Sequence, residues 1–116
     1  MAVKLTLWHN PRCSKSRAAL ALLQDRGITP GIRLYLSEPP TVEELEILRR
    51  QLNAPVITFT RTAESILKEL GLTRTSTDAA LIAAIVRHPI LLERPIFVAH
   101  DKAVLGRPPE AVLSLL

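Results

Sequence analysis

A short apolar run, Val3 to Trp8, gives way to His9-Asn10-Pro11-Arg12-Cys13-Ser14-Lys15-Ser16-Arg17 and then to a helix-forming run, Ala18 to Leu23. This strand-to-helix junction constrains the chain more than any other stretch, because it sets where a reactive group can sit. The first N–H groups of a helix lack partners within it, and the helix dipole adds partial positive charge there, so such a junction favours an anion. Cys13 stands at it. Thiolate, the reactive form of cysteine, is favoured over thiol in that position. His9, Arg12, Lys15 and Arg17 add positive charge, and Pro11 stiffens the approach.

Cys13 is also the only cysteine. An internal disulfide is impossible, and the position three residues on is Ser16, so there is no Cys-x-x-Cys couple. A redox cycle through Cys13 must take its resolving thiol from another molecule. On the residues alone, a buried and inert cysteine is an equally good reading.

The length of 116 residues suggests one domain, 1–116, with one real core. Aromatics make up only 3%, so that core is built mostly from Leu, Ile, Val and Ala. No apolar run reaches membrane-spanning length, and Met1 to Leu7 lacks the pattern of a secretory signal. One cysteine and no export signal point to a reducing cytoplasm. The net charge of +4 is scattered along the chain, and the few aromatics offer little for base stacking, so neither a nucleic acid nor a membrane is an expected partner.

Lys4 to Trp8 reads as a first, central strand, and Ser14 to about Asp25 as a helix stopped by Gly27. Gly31 to Leu36 alternates Ile32, Leu34 and Leu36 against Arg33 and Tyr35, which predicts a half-buried second strand with the three aliphatics inward. Strand, helix, strand in this order suggests a parallel right-handed crossover. Glu38-Pro39-Pro40 breaks the chain. Thr41 and Glu44 match a capping box for a helix lined by Val42, Leu45, Leu48 and Leu52 and ended by Pro55. Thr62 can cap a short helix carrying Ile66, Leu67 and Leu70, stopped at Gly71. Ser76 or Thr77 opens another, with Leu81, Ile82, Ile85 and Val86 buried and Pro89 beyond it. Residues from about 40 to 92 thus form an all-helical block inserted between strands. Ile96 to Ala99 reads as a third strand, with a turn at His100-Asp101-Lys102 into a fourth, Ala103 to Leu105. Pro109 opens a final helix that sets Leu113, Leu115 and Leu116 against the core.

This order is that of an α/β, thioredoxin-like fold: a mixed four-stranded sheet carrying an inserted helical block. Within it, His9 to Arg17, Arg61, His88-Pro89-Ile90-Leu91, Glu93-Arg94-Pro95-Ile96 and Gly106-Arg107-Pro108-Pro109-Glu110 resemble the glutaredoxin-coupled arsenate reductase family, part of a superfamily that also holds RNA-polymerase-binding regulators. The resemblance implies reduction of arsenate to arsenite with glutathione as co-substrate and glutaredoxin as partner, with no bound cofactor. It implies that Cys13 is catalytic, that His9 helps to activate it, that Ser16 lies close to the thiolate, and that Arg61, Arg94 and Arg107 bind the oxyanion. Pro95 sits where thioredoxin-like folds commonly keep a cis proline facing the cysteine; an ordinary trans proline at a strand start is the alternative.

The physical logic agrees. Arsenate is a tetrahedral oxyanion that repels an approaching thiolate, and arginine presents a permanently charged fork of donors suited to its oxygens. A free thiol with a pKa of about 8.5 is roughly 3% ionised at pH 7. For a thiol lowered to about 6.5, ionisation rises roughly 25-fold while nucleophilicity falls about 8-fold, a net gain of about 3-fold. Holding and neutralising the oxyanion should therefore matter more than ionising the sulfur.

Three other readings bear on the same residues. A phosphatase-like reductase needs Cys-x5-Arg, but Ala19 stands six residues past Cys13. A polymerase-binding redox regulator typically uses Cys-x-x-Cys, which Ser16 breaks. A glutathione-dependent thiol reductase of the same fold with another substrate fits the same motifs. His88 and His100 have no spaced ligand partners, so no metal site is expected.

Overall fold

A computed structural model describes residues 5–116. Four strands, β1 (Leu5–Trp8), β2 (Gly31–Arg33), β3 (Ile96–Ala99) and β4 (Lys102–Leu105), form one sheet in the order β2-β1-β3-β4. β1 runs parallel to β2, with Thr6 opposite Gly31, and antiparallel to β3, with Trp8 opposite Ile96. β3 and β4 form the antiparallel hairpin, Ile96 opposite Leu105. This is the thioredoxin-like mixed sheet that the element order suggests. Val3 and Lys4, expected to begin β1, lie outside the described residues.

Side chains alternate across the sheet, as strand geometry requires. On one face Leu7 and Phe97 pack with Ala19 and Leu23 of α1 (Ser14–Asp25) and with Val112. On the other, Trp8 and Ile96 pack with Leu45 and Leu48 of α2 (Val42–Leu52), Leu67 of α3 (Ser65–Glu69) and Leu81 and Ile85 of α4 (Asp78–Arg87). Each fully buried aliphatic or aromatic side chain in these layers contributes about 1.5–3 kcal/mol. Among the described residues, no helix is long and apolar enough to cross a membrane.

Local chemistry explains the helix ends. The Thr41 hydroxyl accepts the Glu44 N–H at 3.1 Å and the Glu44 carboxylate accepts the Thr41 N–H at 3.0 Å, so the capping box is present. Thr77, not Ser76, caps α4. Gly27 and Gly71 end α1 and α3 with φ of 75° and 73°, a conformation that side chains with a Cβ resist.

The structure departs from the sequence reading in several places. β2 stops at Arg33, and Leu34 to Ser37 turn away, closed by Ser37 N–H to Leu34 C=O at 3.0 Å. The expected facing is thereby inverted. Tyr35 is 1% exposed inside the helical core, whereas Ile32, Leu34 and Leu36 are 43%, 37% and 45% exposed. Arg33 does not point to free solvent; it lies over the Trp8 ring at 5.1 Å and pairs with Glu44 at 2.6 Å. An edge strand of three residues leaves the turn, not the pleat, to decide where its last side chains go. α2 ends at Asn53, which adopts φ 51°, before Pro55 is reached, and Val42 remains exposed. α3 starts after Glu64 with no side-chain cap, so Thr62 does not cap it. The last helical segment, Pro109–Leu115, is a 3-10 helix anchored by Val112, and Leu116 is exposed. Short 3-10 turns at Val56–Phe59 and Pro89–Leu91 join the helices to the sheet.

Candidate active site

The junction after β1 is built from local hydrogen bonds. Cys13 is the residue before α1, with extended φ −92° and ψ 122°, and its N–H donates to Asn10 C=O at 3.0 Å. The Asn10 side chain accepts the Arg12 N–H at 3.0 Å, and the exposed Arg17 guanidinium donates back to Pro11 C=O at 2.9 Å. Arg17 thus ties the loop to its own helix, and Arg12 and Lys15 are exposed. The Cys13 side chain is neither buried nor free in solvent. Burial opposes its ionisation most strongly, but the Ser16 N–H, the Arg94 guanidinium and the Lys15 N–H together outweigh it and hold the thiol below its ordinary value.

Ser16 and His9 sit beneath this loop. Ser16 is fully buried and His9 is 7% exposed. The Ser16 hydroxyl lies 2.6 Å from His9 Nδ1 and accepts the Asn10 N–H at 3.1 Å. The hydroxyl is therefore committed to the histidine and the loop, and it is the Ser16 backbone N–H that favours the thiolate. His9 reaches the sulfur's surroundings through Ser16. Burial, helped by the Arg17 charge, lowers the His9 pKa, so the imidazole is favoured in its neutral form.

The arginines arrive from three different places. Arg94 precedes a cis peptide bond to Pro95, the isomer common at this place in the fold; a second cis bond, Arg107–Pro108, was not anticipated. Gly106 N–H donates to Pro95 C=O at 2.8 Å, and a Cβ at Gly106 would come within 2.6 Å of Pro95 Cγ. Only glycine permits this approach, which sets Arg94 and Arg107 beside each other at one end of the hairpin. Arg107 Nη1 donates to Arg94 C=O at 3.3 Å. Arg61 comes from the helical block. Its N–H donates to Leu91 C=O at 2.7 Å, while Glu93 N–H donates to Phe59 C=O at 2.8 Å, a pairing that brings it beside Glu93.

Glu93 then links two of the three arginines. Its Oε1 lies 3.7 Å from Arg61 Nε and 3.7 Å from Arg107 Nη1. Glu64 takes a further share of Arg61 at 3.4 Å. Arg94 is one of the groups that favour the Cys13 thiolate. Among the described residues two buried polar atoms, Arg94 Nε and the Tyr35 hydroxyl, lack a well-formed hydrogen bond, although Arg94 is close enough to the phenol to act on its ionisation as a donor. Tyr35 is pushed up to about 12, chiefly by burial, with Arg94 opposing and Cys13 and Glu93 adding to the rise.

Arg61 and Arg107 therefore meet across Glu93, Arg94 follows Glu93 in the chain and bears on Cys13, and His9 and Ser16 pack beneath the cysteine loop. Glu93, Glu64 and Tyr35 belong to the same surroundings and were not singled out by sequence reasoning. Adjacency to Arg94 was the available signal for Glu93; the apparent alternation of β2 pointed the wrong way for Tyr35. His100 is exposed at the hairpin turn and His88 follows α4, and among the described residues no three His, Cys, Asp or Glu side chains are grouped to hold a metal. Chemically, the site offers a nucleophilic sulfur at a helix N-terminus and guanidinium donors suited to a tetrahedral anion.

A solved structure described as arsenate reductase from Vibrio cholerae superposes with a TM-score of 0.93 and 47% identity over 100% of both chains. An arsenate reductase of Neisseria meningitidis serogroup A is 45% identical over 115 residues, 97% of this chain and 98% of that one. The Escherichia coli protein YfgD, described as uncharacterized, is 43% identical over 118 residues, 100% of this chain and 99% of its own. Residues 8–115 match the ArsC family, and the chain belongs to that family.

Proposed function

We propose that this protein is an arsenate reductase of the glutathione- and glutaredoxin-dependent kind, acting through Cys13 in the cytoplasm, with no bound cofactor and no nucleic-acid or membrane partner. One observation carries the reading: the sole thiol has its ionisation favoured at the start of α1 and lies within the influence of Arg94, whose neighbours Arg107 and Arg61 converge on Glu93. The names of the relatives support the substrate.

In the proposed cycle the Cys13 thiolate attacks arsenic(V), forming an As–S bond while an oxygen leaves as water after protonation. A glutathione thiol adds to arsenic in the same way, releasing a second water. A glutaredoxin thiolate then attacks the glutathione sulfur. The As–S electron pair stays on arsenic, which becomes arsenic(III), and a glutaredoxin–glutathione disulfide departs. Water displaces Cys13 from arsenic and arsenite leaves. Arg94, Arg107 and Arg61 hold the oxyanion, Cys13 is the nucleophile, and His9 and Ser16 position the first turn of α1. The absence of a second cysteine suits a cycle whose other thiols are all external.

Arsenite production from arsenate, with glutathione and with or without glutaredoxin, tests the reading. Turnover should require both thiols and fall to background in Cys13→Ser. A second reading, a glutathione-dependent thiol reductase with another substrate, is favoured by the carboxylates Glu93 and Glu64, which offset guanidinium charge. Thiol exchange retained without arsenate turnover would establish that second reading instead.

A further inference from the structure

Glu93 is an unexpected group for an anion site, because its carboxylate repels the anion that the arginines attract. Its placement is specific. A single oxygen, Oε1, stands 3.7 Å from a nitrogen of Arg61 and 3.7 Å from a nitrogen of Arg107. At that separation the charges compensate without a hydrogen bond to the carboxylate; one N–H of Arg107 Nη1 is held by Arg94 C=O at 3.3 Å. The backbone on which Glu93 sits is fixed by its N–H bond to Phe59 C=O at 2.8 Å, and the next residue is Arg94, the arginine that acts on the sulfur. An oxyanion that meets Arg94, Arg107 and Arg61 together also meets this carboxylate.

Two anionic oxygens can lie together only if a proton bridges them; then the contact becomes a short charge-assisted O–H···O hydrogen bond. Hydrogen arsenate and hydrogen phosphate keep such a proton at neutral pH. Sulfate, of the same shape and charge, has none. Resting on the oxyanion site proposed above, we propose that Glu93 is a specificity-determining residue that admits tetrahedral oxyanions still carrying a proton, the arsenate and phosphate class, and rejects fully ionised ones such as sulfate. The arginines supply attraction that any tetrahedral dianion would feel. Glu93 supplies the discrimination, because a buried or half-buried acceptor left facing another acceptor is costly.

The test uses the sulfur as reporter, since Cys13 is the only cysteine. The rate of Cys13 alkylation by iodoacetamide is measured on the whole chain at pH 7 against rising sodium phosphate or sodium sulfate at matched ionic strength. In the native protein phosphate should protect at a concentration about 10-fold or more below sulfate. In Glu93→Gln the amide can donate to an unprotonated oxygen, so the gap should close to about 3-fold or less, mainly because sulfate binds more tightly. Glu93→Asn, a shorter neutral side chain, should also lose the discrimination, and thermal melts identify any variant that has lost its fold. Equal protection by both anions in the native protein, or an unchanged gap in both folded variants, overturns the role of Glu93 while leaving an oxyanion site. Protection by neither anion overturns both. Phosphate-selective protection without arsenate turnover supports the role of Glu93 and overturns only arsenate as substrate.

Discussion

The two sides of the site are held by different kinds of force. The sulfur side is a mesh of short hydrogen bonds: Cys13 to Asn10 at 3.0 Å, Arg12 to Asn10 at 3.0 Å, Arg17 to Pro11 at 2.9 Å, and Ser16 to His9 at 2.6 Å. These bonds tie the loop to the start of α1 and to β1. The arginine side is looser. Its ion pairs lie at 3.4 to 3.7 Å, and Arg94 Nε makes no well-formed hydrogen bond among the described residues. The lesson is that the loop carrying the nucleophile is fixed by hydrogen bonds, whereas the arginines on the anion side are held chiefly by charge. Hydrogen bonds fix a direction, while ion pairs at these distances fix charge and leave direction adjustable.

That contrast can be broken from either side. The largest effect is expected from Arg94→Ala, which removes a guanidinium from the anion side. Oxyanion turnover should fall about 100- to 1,000-fold. The Cys13 pKa should also rise, because Arg94 is one of the groups lowering it. Steady-state kinetics and thiol titration measure both; a pKa change that accounts for the whole loss would place the arginine on the sulfur side of the comparison. Gly106→Ala should come next. The new methyl group must push Pro95 aside, costing about 1–3 kcal/mol in a denaturant melt and separating Arg94 from Arg107.

A smaller effect should follow His9→Gln, which keeps a polar partner for Ser16 and costs about 1 kcal/mol at pH 7. Its signature is pH dependence. His9 has a lowered pKa in the folded state, so below the ordinary histidine value of 6.5 the unfolded chain binds the proton more readily. Native stability should therefore fall as pH drops through that value and below it. His9→Gln should lose this component of the acid-side decline, as urea melts at a series of pH values would reveal. Tyr35→Phe should change stability least, within about 0.5 kcal/mol, because the hydroxyl it removes makes no well-formed hydrogen bond among the described residues. The native protein should weaken above pH 10, since Tyr35 is pushed up to about 12 and the unfolded chain ionises first. The variant should lose that tyrosine contribution. A destabilisation well beyond that margin would mean that the hydroxyl is a structural partner of Arg94.

Much of this was legible in the chain itself. β1, α1, β3 and the capping box of α2 follow from apolar runs, breakers and caps, which act over a few residues. The same local rules placed Cys13 at a helix start. Tyr35 was misplaced because alternation over Gly31 to Leu36 resembles a longer strand, and only the turn at Leu34 to Ser37 reveals that the phenol folds into the helical core. The helix ends at Asn53 and Glu64 shifted for a similar reason, since neighbouring Pro55 and Thr62 carried signals of comparable strength.

By itself, then, the sequence determined the elements near their present positions, the single nucleophile and the absence of any internal thiol to resolve it. These depend on residue type and near spacing. Tertiary structure decided that Arg61, from the helical block, meets Arg107, from the end of the hairpin, across Glu93, and that Tyr35 folds into the helical core. Those facts depend on which distant segments the sheet and its two packed faces bring together, and charge balance between them exists only once the chain has closed.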